Sequence, residues 1–98
     1  MQNLSKIKTY IGFSVKSGKI IYGADTLIET KKRVKLIIVC KTLAKSTCEK
    51  VQEYASSKDV QVLSFEECLL EDIVNKKNCK VIGLLNKNLA QAIIDSVQ

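Results

Sequence analysis

The stretch of sequence that decides the fold is KLIIVC, which occupies residues 35–40. After its leading lysine it is continuously apolar, and Ile37, Ile38 and Val39 are β-branched. A strand with one face in water alternates apolar and polar residues, whereas a strand buried on both faces is apolar throughout. We therefore predict a central strand at 35–40 with other elements packed against both of its faces.

The apolar pattern around this strand alternates between helix and strand spacing. A first helix is marked by the apolar residues Leu4, Ile7, Ile11 and Val15. Strands are predicted at 20–22, 60–65 and 79–85, and a helical pattern follows each of the four strands. A helix followed by four strand-helix pairs is typical of an α/β fold, here a three-layer α/β/α sandwich around a four-stranded, largely parallel or mixed sheet. The 98 residues fit one domain, spanning 1–98.

Local signals also predict details of the helix ends. The cations at 31–33 fall in the predicted last turn of the helix that starts at Ala24, where positive charge compensates the helix dipole. Pairs with capping-box spacing, in which each residue's side chain satisfies a backbone amide of the other, are Ser46 with Glu49, Ser64 with Glu67, and Asn88 with Gln91. In the first helix we expect Phe13 to be buried.

Positive charge is concentrated in the first half of the chain. Residues 1–50 hold eleven Lys/Arg and three Asp/Glu, a net charge of +8, whereas residues 51–98 hold five lysines and seven acids, a net charge of −2. Concentrated positive charge is typical of proteins that bind an anionic polymer. The alternative is a solvated lysine-rich surface that only aids solubility.

The sequence offers few of the residues and motifs that catalysis or metal binding would need. The chain has no histidine, its four cysteines are irregularly spaced without a Cys-x-x-Cys pair, and we expect buried thiols rather than a metal site or disulfides. The nearest approach to a phosphate-binding loop, residues 12–19, has the wrong glycine spacing and lacks the hydroxyl residue after Lys19. We therefore expect no enzyme activity and no cofactor.

The apolar segments are too short for a membrane span. The longest continuous run, residues 36–40, is far below the roughly 20 residues that a spanning helix needs. The N-terminal segment has no apolar stretch of the kind found in secretory signals. We expect a cytoplasmic protein without membrane contact.

Two stretches carry a resemblance to a known family. They are IGFSVKSGKIIYG at 11–23 and VKLIIVC at 34–40, where a lysine leads into the central strand. Both resemble the ribosomal L-seven-Ae family, especially its small bacterial branch, whose order of helices and strands is similar over nearly the whole chain. The resemblance implies binding of kink-turn RNA, a sharply bent duplex with sheared G·A pairs at the bend.

In that family a Gly-x-Asn-Glu-x-x-Lys motif opens the second helix, and it falls on residues 23–29 here. Gly23 is kept, while Asp25 stands at the asparagine position and Thr26 at the glutamate position. Glu29 replaces the lysine and reverses its charge. The resemblance implies that this helix start meets the RNA at its bend. For Asp25 the alternative is helix capping and dipole stabilisation.

The predicted RNA-binding residues fall into three groups. Residues 23–26 present the helix start to the RNA. The second group is expected to neutralise phosphates of the RNA backbone, and it consists of Lys16, Lys19, Lys31, Lys32 and Lys35. The loop at 76–78 falls where the family has a second contact loop, with helix-dipole compensation as the alternative for its lysines. The full set is Lys16, Lys19, Gly23, Ala24, Asp25, Thr26, Lys31, Lys32, Lys35, Lys76, Lys77 and Asn78.

The predicted function is recognition of structured, kink-turn-like RNA by a ribosomal-type protein. Ribosomal RNA is the expected partner, so the ribosome is a candidate assembly, and we expect the protein to act as a monomer. The alternative is a protein–protein interaction module of the same fold that has lost RNA binding. The reversed charge at Glu29 and the acidic cluster at 66–72 favour this alternative.

Overall fold

The structure of the protein is a computed structural model that describes residues 4–65, 70, 74 and 79–97. Within these ranges the elements in chain order are α1 (Leu4–Ser17), β1 (Ile20–Tyr22), α2 (Ala24–Glu29), β2 (Leu36–Cys40), α3 (Lys45–Lys58), β3 (Val62–Phe65), β4 (Val81–Leu84) and α4 (Lys87–Ser96). Between β3 and β4, the described residues Leu70 and Val74 are helical and buried. The remainder of the helix predicted after residue 65, with the second residue of the Ser64–Glu67 pair, lies outside the described residues.

The four described strands form one mixed sheet in the order β1-β4-β2-β3. β2 and β3 are parallel, and β4 is antiparallel to both of its neighbours, β1 and β2. Three strands therefore run in one direction, and β4 lies between two of them in the opposite direction. The parallel pair is joined through α3, the helical crossover that parallel strands require. The mixed form of the predicted sheet is confirmed.

Helices cover both faces of the sheet and enclose two cores. The first core contains buried residues of α1 and α4, including Ile7 and Ile93, and the second contains buried residues of α2 and α3, including Leu27 and Val51. Alternate residues of β2 enter one core or the other, and all five are buried. Each fully buried Leu or Ile contributes about 1.5–3 kcal/mol relative to an exposed one. The predicted three-layer sandwich with a doubly covered central strand is confirmed.

One predicted helix end is wrong, and the difference changes the surface. α2 ends at Glu29, and Thr30 is extended, so the cations at 31–33 lie beyond the helix and do not compensate its dipole. The Thr30 hydroxyl accepts the Lys32 amide at 3.2 Å, a local bond that competes with further helix. The chain must also extend here, because Lys35 already pairs with β4 through its amide.

The predicted capping pairs are also displaced. α3 begins after Ala44, and no described side chain caps it, so the box predicted at Ser46 is not formed. α4 is capped by Asn86, whose side-chain oxygen accepts the Leu89 amide at 3.0 Å, two residues before the predicted cap. The prediction for Phe13 is wrong as well. Its side chain is 50% exposed, because Ile7 and Ile11 turn another side of α1 toward the core.

Gly83 allows α2 and the following loop to pack closely on the sheet. A Cβ atom at this position would lie 2.6 Å from Leu27 Cδ1 and 3.2 Å from Val34 Cγ1. Both distances are shorter than an ordinary carbon–carbon contact. A residue without a side chain at the centre of β4 therefore determines how closely the loop before β2 approaches the sheet.

Candidate nucleic-acid interface

The predicted site residues lie at two opposite ends of the sheet. At the first end β1 and β2 finish and α2 begins, and the Gly23 amide donates to the Val81 carbonyl at 2.9 Å. At the second end β1 and β2 begin, and the Lys35 amide donates to the Leu84 carbonyl at 2.7 Å. β2 has five residues, which separates the two ends by roughly 15 Å. We call them the helix-start end (residues 22–26, 40–42 and 79–81) and the groove end (residues 16–19, 30–35, 54–60 and 84–85).

At the helix-start end, α2 begins without a side-chain cap from any described residue. Its N-cap is Gly23, whose carbonyl accepts the Leu27 amide at 3.1 Å. The first amides of a helix have no acceptor within the helix, so those of residues 24–26 are directed out of the helix start. Asp25 is the second residue of α2 and does not cap it, so the capping interpretation is wrong. Its carboxylate lies in the first turn, where it interacts favourably with the helix dipole.

The backbone conformation at position 23 explains why glycine occupies it. Its φ is 86° and its ψ is 150°, a conformation that is essentially restricted to glycine. No described atom lies within 4 Å of the place where a Cβ would be, so the requirement concerns the backbone and not space. The glycine shared with the family motif is therefore explained by the turn between β1 and α2, whether or not an RNA approaches it.

Tyr22, which precedes this turn, is a packing residue. Its side chain is half-buried and packs against the first core. Burial, and secondarily the nearby Cys79, raises the pKa of the Tyr22 phenol above its ordinary value of 10.0. Tyr22 lines neither the cationic groove at the groove end nor its adjoining depression, so packing against the first core is its described role.

The groove end contains a groove between the loop after α2 and the C-terminal part of α3. We call it the cationic groove, and its lining residues are Thr30, Lys31, Lys32, Arg33, Val34, Lys35, Tyr54, Lys58, Asp59 and Val60. Among these described residues there are five cations and one carboxylate, which gives the lining a net charge of +4. A smaller depression adjoins it, shares Lys32 and Arg33 with it, and adds Lys19. Five exposed cations thus converge on one groove, while other exposed lysines lie elsewhere on the described surface.

The loop side of the groove owes its form to its alternation of buried and exposed residues. Val34 is buried against Gly83, while its neighbours Arg33 and Lys35 are exposed. The buried valine is therefore flanked in the chain by two long cations that stay in solvent. The packing of one valine thereby holds the loop in place and leaves the cationic side chains in solvent.

The α3 side of the groove is formed by Tyr54 and Lys58, which lie one helical turn apart on the same face. Asp59 ends the helix in the left-handed conformation, with a φ of 55°, and its amide bonds back to carbonyls of the last turn. Lys58 lies in that last turn, where a cation interacts favourably with the helix dipole. Lys58 therefore stabilises the end of α3 in addition to lining the groove.

The structure brings some of the predicted residues together and separates others. Lys19, Lys31, Lys32 and Lys35 lie around the groove and its adjoining depression. Residues 23–26 lie at the helix-start end, and Lys16 lies in the last turn of α1, exposed at the groove end but outside the described linings. Lys76, Lys77 and Asn78 lie outside the described residues.

Sequence reasoning missed two cations of the groove, Arg33 and Lys58, and its aromatic residue Tyr54, besides the other lining residues outside the predicted set. The pattern around Arg33 predicts the end of a helix that in fact stops four residues earlier. The spacing of Tyr54 and Lys58 places them on one helix face, a signal that is present in the sequence. This spacing does not show which loop the helix face lies against, because that depends on how α2 and α3 pack together.

The described part of the chain also bears on metal binding and on membrane crossing. No group of three or more His, Cys, Asp or Glu residues is placed to hold a metal ion there. Cys40 and Cys79 are buried and Cys48 is half-buried. Within the described ranges, none of the helices combines the length and apolar character that crossing a bilayer requires.

Comparison with known proteins identifies the fold and nothing finer. No protein-family model matches the chain, and no curated protein matches it in sequence. One similar solved structure is described as that of a protein with unknown function from Bacillus halodurans C. It superposes with a TM-score of 0.83 over 91% of this chain and 93% of that chain, at 15% sequence identity. At that identity the likeness concerns the fold alone, and one fold hosts many functions. The chain thus has a small α/β fold that also occurs in at least one protein of divergent sequence.

Proposed function

We propose that the protein binds structured RNA through its phosphate backbone, with the cationic groove as the main electrostatic contact. The observation that carries the proposal is the convergence of five cationic side chains on one groove, opposed by one carboxylate among the described lining residues. Cations that neutralise phosphates release condensed counterions, which supplies most of the sequence-independent affinity for nucleic acid. A lysine-rich surface that served only solubility would have no need for such convergence.

A kink-turn is the specific RNA that we propose, on the strength of the resemblance of residues 11–23 and 34–40 to the ribosomal L-seven-Ae family. In this mode residues 23–26 meet the bend, and Gly23 allows the backbone to approach closely because it has no side chain. The cationic groove holds the flanking strand. Phosphate contacts of this kind position the RNA, and the bend supplies the selectivity. Ribosomal RNA is the proposed natural target, in the cytoplasm, bound by a monomer.

The α2 helix connects the two contacts. It has six residues and runs from the helix-start end toward the groove end. An RNA that touches both ends must pass along it, and exposed Glu29 lies on this path, immediately before the groove residue Thr30. Its carboxylate repels phosphate where the family has a lysine. We therefore expect weaker binding than a lysine at this position would give, with the groove compensating for part of the loss.

Titration against three RNAs tests the proposal. The RNAs are a kink-turn stem, the same stem with its G·A pairs replaced, and a plain duplex of equal length. If about four phosphates are neutralised, affinity falls roughly 50- to 150-fold for a fourfold rise in salt concentration, by the slopes for single strands and B-form duplexes. A preference for the intact kink-turn supports the specific mode. Equal, salt-sensitive binding to all three retains the RNA proposal and removes the kink-turn. Affinity independent of salt would overturn both.

The second candidate is a protein-interaction module, and the exposed Glu29 motivates it. A carboxylate in place of a phosphate-binding lysine suits a basic protein partner better than RNA. Purification from cells before and after nuclease treatment separates the two candidates. Partners that are lost with nuclease favour RNA binding, and partners that are retained favour direct protein contacts.

A further inference from the structure

We infer that Tyr54 is a stacking platform for an unpaired base, so that the cationic groove takes a single-stranded segment of RNA. This inference rests on the proposed RNA binding and goes beyond it, because a backbone contact alone needs no aromatic residue. Proteins that hold single strands combine cations that follow the backbone with aromatic rings on which bases stack. Tyr54 is the aromatic residue among the described lining of the groove, and it stands beside five cations.

The burial of Tyr54 suits a platform. The side chain is half-buried and packs against the second core, while the same residue lines the groove. A ring that the core already holds loses little conformational freedom when a base stacks on it. A flexible surface tyrosine would have to be ordered on binding, at a cost in affinity.

The charges of the groove suggest how a nucleotide is oriented in it. Four of its cations lie on the loop, at residues 31–33 and 35, whereas the α3 side carries Lys58 and the carboxylate of Asp59. The C-terminal end of α3 also carries the negative end of the helix dipole. Phosphates therefore favour the loop, and the base then points toward α3, where Tyr54 lies. Four of the five cations thus lie on the wall opposite Tyr54, while the α3 wall that carries Tyr54 has one cation and one carboxylate and no net charge.

A duplex cannot use this arrangement, because its bases are stacked on one another within the helix. The groove therefore distinguishes an unpaired segment from a paired one. In a structured RNA such segments are loops, bulges and ends, which are the usual targets of RNA-binding proteins. The predicted partner is a structured RNA with an unpaired segment next to the stem that it docks.

The structural alternative is that Tyr54 only covers the second core. Two substitutions separate the roles. Tyr54→Phe keeps both the packing and the aromatic face, and Tyr54→Leu keeps apolar packing but removes the aromatic face. Tyr10→Leu is the matched control, because Tyr10 is also half-buried but packs against the first core, on the other face of the sheet.

The experiment measures binding of the full chain to a fluorescent eight-nucleotide oligoadenylate, to the same backbone without bases, and to a short duplex. We expect Tyr54→Leu to weaken binding of the oligoadenylate about tenfold, the effect of losing one base–aromatic stack. The loss for the duplex should be much smaller, and Tyr54→Phe and Tyr10→Leu should each bind the oligoadenylate like the original protein. The original protein should bind the abasic strand about tenfold more weakly than oligoadenylate, a comparison that does not depend on any variant folding.

Equal binding of the abasic strand and oligoadenylate would overturn the platform, as would equal losses for Tyr54→Leu on single strand and duplex. Either result leaves the proposed RNA binding intact as long as removal of the groove cations, by Lys32→Ala with Arg33→Ala, still weakens binding. If that double variant binds every RNA as the original protein does, the proposed use of the groove fails together with the platform.

Discussion

The two ends of the sheet differ in how they would meet an anion. The groove end presents long cationic side chains from a loop and from α3, whereas the helix-start end presents backbone amides beside the exposed carboxylate of Asp25. Side-chain cations attract any phosphate backbone and adapt to its path. Backbone amides are fixed in position, so they donate hydrogen bonds to a phosphate only where the path of the RNA backbone places a phosphate next to them. If the protein binds RNA as proposed, the groove end would supply most of the affinity, and the helix-start end would supply the selectivity for a bend.

The largest expected effect comes from removing charge at the groove end. Replacing both Lys32 and Arg33 by alanine should weaken RNA binding roughly 50-fold at about 50 mM salt and lower the salt slope by about 1.5, because two phosphate contacts are lost. Both residues line the groove and its adjoining depression. Fluorescence anisotropy over a salt series measures both quantities.

The matched control for that double variant is Lys6→Ala with Lys8→Ala. Both of these lysines are exposed and lie in the first half of α1, which covers the other face of the sheet and reaches the groove end only at its last turn. The control removes the same net charge away from the groove, so its binding should change by less than about threefold. Equal losses in the two double variants would mean that overall charge, and not the groove, provides the attraction.

The second effect concerns stability, because Gly83 supports the loop side of the groove. Gly83→Ala should lower the free energy of unfolding by about 1–3 kcal/mol, the usual cost of an extra group in a packed core. Its Cβ would press on Leu27 and Val34. Urea denaturation measures the loss. In Gly83→Ala with Leu27→Val the two effects should be less than additive, since the smaller side chain relieves the contact.

Gly12→Ala is the control for the glycine substitution. Gly12 lies inside α1, and no described atom lies within 4 Å of the place that the alanine methyl group would occupy. Alanine should therefore stabilise the protein by about 0.5–1 kcal/mol, the difference in helix propensity. Destabilisation by Gly12→Ala as large as that by Gly83→Ala would contradict the explanation from close approach.

The sequence is informative where the physical cause is local. The central strand could be predicted because the burial of both its faces is reflected in five successive apolar residues. The end of α2 could not, because it also depends on two contacts that are distant in sequence: Val34 packs against Gly83, and the Lys35 amide donates to the Leu84 carbonyl. The cationic groove joins Arg33 to Tyr54, two residues that the chain brings together only when α2 and α3 pack side by side. A site built from one helix is therefore easier to predict than a site built from two.

The third prediction tests the helix-start end through Asp25→Asn, which places the residue of the family motif at this position. The amide adds a hydrogen-bond donor and removes a negative charge near the RNA. We expect affinity for a kink-turn stem to rise about fivefold, a gain of about 1 kcal/mol that is typical of one hydrogen bond. Binding to a plain duplex should rise less, and the ratio of the two affinities is the measurement. An unchanged ratio would mean that this end does not recognise the bend.

The smallest expected effect comes from Asp59, the carboxylate within the described lining of the groove. Asp59→Asn removes a charge that repels phosphate, and asparagine tolerates the left-handed backbone with its φ of 55°. Affinity for RNA should rise about threefold at low salt, and the gain should shrink as salt screens the repulsion. The free energy of unfolding should rise by about 0.3–1 kcal/mol, because a carboxylate is unfavourable at the negative end of the α3 dipole. The direction of the change in affinity decides the test, because substitution of a residue unrelated to RNA binding would leave the affinity unchanged. A loss of affinity would mean that the carboxylate accepts a hydrogen bond from the RNA, and the phosphates would then have to lie elsewhere.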